Sequence, residues 1–249
     1  MRKPGYYERH FICRNLEGYY SNFNIVARYN KHISSAHLAL ALRTLIAQDP
    51  IFVLGIFRNK NTTPEDDSKF NATNFNVRPV KSFNFDDVVK YEKISKFDDS
   101  VFARINERTC PVDIELPLWR IAVFELEQDG SQYLCIYFEH ALFDGGSGVE
   151  FHRDLAKALE GVENSLEENE TAAGNESIHF TGSNKTIIVP PACEHTTYIF
   201  EPSWKRVIQL YAQEYMPKSP FLWTDARRKD TAKSVLFNGG KPTTTDLST

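Results

Sequence analysis

Apart from a hydrophobic core, the sequence has few features that would stabilise a fold, such as metal sites or disulfides. Its four cysteines, Cys13, Cys110, Cys135 and Cys193, lie too far apart for a CxxC metal pair, and a chain of 249 residues does not need disulfides to fold. Basic residues are not in excess, because 29 Lys and Arg face 33 Asp and Glu, leaving a net charge of −4. We therefore expect reduced thiols and no nucleic-acid partner.

Long apolar runs are also missing. The first ten residues contain no apolar stretch of the kind found in signal peptides, and no apolar run approaches the length of a membrane span. These absences predict a cytoplasmic protein.

What is present suits an ordinary globular chain. The composition of 41% hydrophobic, 13% aromatic and 25% charged residues excludes disordered, collagen-like and disulfide-scaffold proteins. The length divided by a usual domain size of about 150 residues gives about 1.7 domains.

Alternating strand and helix patterns predict an α/β (α+β) fold with a mixed β-sheet flanked by helices. A strand over 21–29 precedes a helix over 34–48, which is followed by an apolar strand over 51–58. The helix places four apolar residues on one face, Leu38, Ala41, Leu42 and Leu45.

Weaker patterns follow this unit. Residues 59–76 are predicted to form a loop, and 77–80 and 88–94 are candidate strands. A helix over 97–108, capped by Asp99 or Ser100, has Val101, Phe102 and Ile105 on one face.

The strongest pattern lies in the middle of the chain. Strands over 118–126 and 133–139 flank a turn with an Asp-Gly pair and predict a β-hairpin. The second strand is apolar on both faces, so we expect it to be central in its sheet. It leads through a glycine-containing turn into a helix, for which we expect Ser147 as the N-cap and a core face made of Val149, Leu155 and Leu159.

His140, at the end of this strand, is the candidate catalytic residue. A histidine held rigidly at a strand end can act as a general base near neutral pH. Asp144 is the second candidate, orienting the turn or pairing with a buried cation, for which Arg120 is the nearest choice. Gly145 and Gly146 would allow the bend and leave space for a substrate.

The residues alone leave simpler interpretations open. His140 and Asp144 would also suit a core histidine beside a helix-capping aspartate, and two such ligands are too few for a metal site. The aromatic residues near the N-terminus, Phe11, Tyr19, Tyr20 and Phe23, favour core packing over an acyl-binding or membrane-facing surface.

The segment Glu139-His-Ala-Leu-Phe-Asp-Gly-Gly146 resembles the His-x-x-x-Asp-Gly motif of the coenzyme A-dependent acyltransferases of the chloramphenicol acetyltransferase type. Within that superfamily the chain is most similar to the fungal alcohol acetyltransferases. Three further segments carry this similarity, residues 20–30, 42–50 and 117–120.

The resemblance implies direct transfer from acetyl-CoA to a small or medium-chain alcohol, giving an ester without an acyl-enzyme. His140 would be the base, Asp144 would hold the loop in place, and Gly145 would allow the loop to pack closely beside the transfer site. Acetyl-CoA would be a co-substrate, with no metal. N-acetylation of an amine is the related alternative.

Members of this superfamily have two similarly built halves. We expect residues 1–221 to form the first half-domain and the polar tail 222–249 to begin the second. A truncated, inactive remnant or an interaction module is therefore a competing interpretation. The resemblance also allows peripheral contact with endoplasmic reticulum or lipid droplets. It gives no information on the oligomeric state.

Overall fold

The computed structural model describes residues 1–19, 21–59, 72–163, 177–180 and 187–192, together with 204, 205 and 208. The chain divides into two compact units, Met1–Tyr198 and Ile199–Thr249. The described residues of the second unit are helical. The expected boundary at residue 221 lies outside the described residues.

The first unit contains both helices and strands. Its helices are α1 (Tyr6–Leu16), α2 (Ser35–Gln48), α3 (Phe85–Val88), α4 (Asp99–Glu107) and α5 (Gly145–Glu163). Its strands are β1 (Asn22–Tyr29), β2 (Leu54–Arg58), β3 (Phe75–Pro79), β4 (Ser82–Asn84), β5 (Val89–Ile94), β6 (Trp119–Leu126), β7 (Gln132–Glu139) and β8 (Ser177–Phe180). Short 3-10 turns cover Pro50–Val53 and Ala72–Asn74.

Four strands form the main sheet, in the order β1-β7-β6-β5. Strand β7 is antiparallel to both of its neighbours, whereas β5 runs parallel to β6. The predicted hairpin and the central position of its second strand are therefore confirmed, as is the mixed sheet. Strands β2 and β3 form a separate pair, and β4 pairs with β8.

The apolar segment after α2 differs from its prediction. Residues Pro50–Val53 form a 3-10 turn instead of a strand, because the Asp49 carboxylate accepts a hydrogen bond from the Ile51 amide at 2.9 Å and proline favours the first helical positions. The strand is limited to β2.

Side-chain packing covers both faces of the main sheet. On one face Ile121, Ile136 and Phe138 join the cluster that includes the apolar residues of α2 and α5. On the other, Phe124, Cys135 and Tyr137 pack with Val101 and Ile105 of α4. Alternate residues of β7 thus enter different clusters, as the strand pleat requires.

The predicted helix faces are confirmed in part. All four apolar residues predicted for α2 are buried, and Ser34 caps it by accepting a hydrogen bond from the His37 amide. In α4 and α5, however, Phe102 and Val149 are 43% and 48% exposed, and the cap of α4 is Asp98 rather than Asp99 or Ser100.

Helix α1 was not predicted from the sequence, which shows only weak apolar periodicity there. Glu8 forms its N-terminal capping contact by accepting from the Gly5 amide at 2.7 Å. The Glu8 carboxylate also pairs with the Arg2 guanidinium, although Glu8 is only 4% exposed. A buried, paired carboxylate replaces an apolar residue that would have revealed the helix.

None of the helices in the described ranges is both long enough and apolar enough to cross a membrane.

Truncating Ile105 to Ala should lower the free energy of unfolding by about 2–5 kcal/mol, because Ile105 is fully buried between α4 and the sheet. Phe102→Ala on the same helix is the matched control and should cost clearly less. Urea denaturation of both variants measures the difference, and equal losses would contradict the burial described here.

Candidate active site

A tight turn follows the end of β7 and carries the candidate base. The His140 amide donates to the Ser21 carbonyl at 2.9 Å, so the residue stays bonded to the start of β1. The amides of Leu142 and Phe143 both donate to the Glu139 carbonyl at 3.2 Å. These bonds hold the backbone on both sides of the imidazole.

The His140 imidazole has a defined orientation. Its Nδ1 lies 3.3 Å from the Phe143 carbonyl oxygen. A carbonyl can only accept a hydrogen bond, so the neutral ring carries its proton on Nδ1 and a lone pair on Nε2. Within the described part of the chain, no hydrogen bond engages Nε2, which leaves this atom able to accept a proton.

Two phenyl rings contact the half-buried imidazole. The centroid of the Phe11 ring lies 4.8 Å from that of His140 with a 25° angle between the planes, and the Phe23 ring lies at 4.5 Å. Burial lowers the pKa of His140, while the Phe143 carbonyl and the Asp144 carboxylate oppose this shift.

The aromatic residues near the N-terminus therefore separate into different roles. Phe11 and Phe23 pack beside His140, and Phe23 belongs to the core. Tyr19 is 67% exposed, and Tyr20 lies outside the described residues.

Asp144 caps α5. Its Oδ1 accepts from the Ser147 amide and the Ser147 hydroxyl, both at 2.7 Å, and these bonds lower the pKa of its carboxyl group. The N-cap is thus Asp144 and not Ser147, which occupies the third helical position.

Arg120 does not pair with Asp144. Its guanidinium donates to the carbonyls of Pro117 and Trp119 at 2.5 and 2.6 Å. Arg120 faces Tyr137 in the β6–β7 register and lies near Cys110, so it points to the face of the sheet opposite the one that Phe138 and His140 share. Strand alternation separates the two residues that the sequence had suggested as partners.

Near the turn, packing requires a glycine at Gly148. A Cβ atom there would lie 2.5 Å from Ile25 Cδ1 and 3.2 Å from a Phe23 ring carbon, because α5 crosses closely over β1. A Cβ on Gly145 would meet no atom within 4 Å, and one on Gly146 would touch only the Asp144 carboxylate. No protein atom near Gly145 therefore requires a glycine there, and its role beside a bound substrate stays a prediction.

Glu139 is a site residue that the sequence patterns did not single out. Its side chain is 0% exposed, and its Oε2 accepts from Asn15 Nδ2 at 2.6 Å and from the Ser21 hydroxyl at 2.9 Å. Burial raises the pKa of this carboxyl group to about 8, against the opposing effect of the Ser21 and Asn15 hydrogen bonds and of the Ala141 amide. A glutamate in an otherwise apolar central strand was the available signal.

No cluster of three or more potential metal ligands occurs among the residues that the structure describes.

The fold of this chain is similar to that of condensation domains. A variant of the starter condensation domain of rhizomide synthetase superimposes with a TM-score of 0.51 at 11% identity, covering 88% of this chain and 48% of that one. The unmodified domain gives 0.50, again at 11% identity, over 66% of this chain and 38% of that one. Similarity at this level shows the fold alone.

The sequence identifies the family within that fold. The alcohol acetyltransferase family model matches residues 3–180, and this chain belongs to that family. Alcohol O-acetyltransferase 2 of Saccharomyces cerevisiae is 26% identical over 186 residues, covering 62% of this chain and 34% of the relative. An uncharacterized protein of Schizosaccharomyces pombe is 29% identical over 162 residues, covering 64% and 32%. The chain thus spans about a third of each relative.

Replacing Gly148 by Ala should destabilise the protein by about 1–3 kcal/mol, because the new methyl group would overlap Ile25 at the α5–β1 crossing. Gly145→Ala, three positions earlier, should be neutral or stabilise by up to about 1 kcal/mol. Chemical denaturation of the two variants compares them directly. A greater loss at Gly145 would contradict the packing.

Removing the cap with Asp144→Ala should cost about 1 kcal/mol at pH 7, whereas Asp144→Asn, which can still accept from Ser147, should keep most of the stability. The folded-state pKa of Asp144 is lowered, so the charge-dependent stabilisation is present above its unfolded-state pKa of about 3.9 and lost as the pH falls through the folded value. Thermal unfolding measured as the pH is lowered through this range tests the loss of stabilisation. Equal losses in both variants at pH 7 would indicate that Asp144 acts through its charge.

Proposed function

We propose that this chain provides the base-bearing part of an acetyl-CoA-dependent alcohol O-acyltransferase that esterifies small or medium-chain alcohols. His140 is the general base of this reaction. Membership of the alcohol acetyltransferase family supports the class of reaction, and the imidazole geometry supports the assignment of the base.

The observation that carries the proposal is the orientation of His140. With Nδ1 held against the Phe143 carbonyl at 3.3 Å, the neutral ring offers the Nε2 lone pair. The pKa of the imidazole is lowered by burial, so this base-competent form persists below the ordinary histidine pKa of about 6.5. The neighbouring rings of Phe11 and Phe23 make the surroundings of the imidazole apolar.

The proton and the bonds balance as follows in the proposed reaction. His140 Nε2 takes the proton of the acceptor hydroxyl, the alcohol oxygen forms a bond to the thioester carbonyl carbon, and the carbon–sulfur bond breaks. The coenzyme sulfur then receives the proton from Nε2, and His140 returns to its neutral form. The Phe143 carbonyl helps hold the imidazolium formed between the two transfers.

Asp144 and Arg120 have supporting roles in this proposal. Asp144 orders the start of α5 through Ser147, and its carboxylate favours the charged imidazolium. Arg120 tethers the backbone where β6 begins, two strands from β1. Neither is required to contact substrate.

His140→Ala should reduce the rate of coenzyme A release by about 10²- to 10⁴-fold, because a positioned general base contributes that much. The assay incubates the chain with acetyl-CoA and a panel of alcohols and amines, and follows free thiol. His32→Ala, at a mostly exposed histidine on the surface, is the control and should retain the native rate. The acidic limb of the rate profile should lie below pH 6.5, since the pKa of His140 is lowered.

The outcomes separate the candidate functions. Release that is indifferent to His140→Ala would refute the base assignment. Release with amines but not alcohols would favour N-acetylation, and no release above the His140→Ala level would favour the remnant or interaction module.

A further inference from the structure

We infer that Glu139 is a positioning residue for His140: its buried carboxyl group docks α1 onto the end of β7 through Asn15, and so places Phe11 against the imidazole. The inference rests on the function proposed above, because positioning has a catalytic meaning only if His140 is the base. The structural contacts themselves do not depend on it.

Two contacts one helical turn apart join α1 to the end of β7. Phe11 stacks on His140, and Asn15, four residues later on the same side of the helix, donates to Glu139 Oε2. His140 and Glu139 are adjacent in the chain, and their side chains leave the strand on opposite faces. Helix α1 therefore straddles the strand end and contacts both.

Asn15 connects Glu139 to the rest of this region. Besides Glu139, its Nδ2 is within hydrogen-bond distance of the Cys110 carbonyl at 3.1 Å, and its Oδ1 accepts from the Val112 amide at 3.2 Å. Ser21 adds a second link, since its hydroxyl donates to Glu139 and its carbonyl accepts from the His140 amide. Losing the Glu139–Asn15 bond would weaken the attachment of α1 to the strand end, and with it the placement of Phe11.

The carboxyl group works in its neutral form. Its Oε1 is buried and makes no hydrogen bond of normal geometry, so ionisation would place charge on a poorly solvated atom, which the nearby Ala141 amide offsets only in part. Among the charged and titratable groups nearby are Cys110 before β6, Arg120 on β6, Arg14 on α1 and Asp144 at α5. Cys110 stays protonated because burial raises its pKa to about 12, and Asp144 stays ionised.

The Asn15 and Ser21 hydrogen bonds favour the ionised carboxylate, but the charge on the buried Oε1 would need solvent. Ionisation of Glu139 should therefore shift α1 and its Phe11 contact, in a range where His140 is already neutral. The pKa of Glu139 is raised to about 8, so the neutral acid predominates at neutral pH and is lost as the pH rises through 8. His140 would then report two events, its own protonation at acidic pH and the ionisation of Glu139 at mildly alkaline pH.

The test follows the His140 ring by NMR in the full chain labelled with ¹³C-histidine and ¹³C-glutamate. His140→Gln assigns the histidine signal and Glu139→Gln assigns the carboxyl signal. In the native chain we expect a second inflection of the His140 signal, as the ring contact with Phe11 changes, with the same midpoint as the Glu139 carboxyl titration. Glu139→Gln keeps an acceptor for Asn15 and should abolish that inflection while preserving the acidic one.

Asn15→Ala should raise the His140 pKa towards 6.5, because the imidazole loses the cover of Phe11. Asn24→Ala, an exposed asparagine contact on β1, is the matched control and should leave the pKa unchanged. A missing alkaline inflection, or one that persists in Glu139→Gln, overturns the inference. Both outcomes can be read without Asn15→Ala if that variant does not fold. None of these readings needs turnover, so failure of the proposed function would appear in the thiol assay alone.

Discussion

Hydrogen bonding along both edges of β7 is the constraint on which the rest of the structure depends. The strand pairs antiparallel with β1 from Asn22 opposite Glu139 to the far end, and with β6 along its other edge. Such a strand has little freedom to shift or tilt, so the residue that follows it is held in a fixed place. The position of His140, and the start of α5 beyond it, follow from that restraint.

The pleat of this strand then divides the chemistry between two faces. Phe138 and His140 lie on the side packed by α2 and α5, while Tyr137 and Glu139 lie on the side that Arg120 and Cys110 share. Arg120 on β6 is therefore suggested by the sequence as a partner of Asp144, but its side chain lies on the opposite face of the sheet. Helix α1 connects the faces because it crosses the end of the sheet rather than lying on one side.

Much of the frame was predictable because its patterns are local. The hairpin, the buried face of α2 and the family motif each depend on residues within a few positions of one another. The errors have equally specific causes. Asp49 and Pro50 convert the first residues of a predicted strand into a 3-10 turn, Ser147 donates to the cap instead of forming it, and α1 buries a paired glutamate where an apolar residue would have marked a helix.

The sequence by itself determined the mixed α/β class, the family and the residue at the end of the central strand, since these depend on periodicity and on a contiguous motif. Only the tertiary structure decided which atoms surround that residue. Phe11, Asn15 and Ser21 meet Glu139 and His140 across more than a hundred positions of sequence, and Gly148 is required by the approach of β1. The ring contacts and the pKa of His140 depend on burial among such distant segments, which no local pattern specifies.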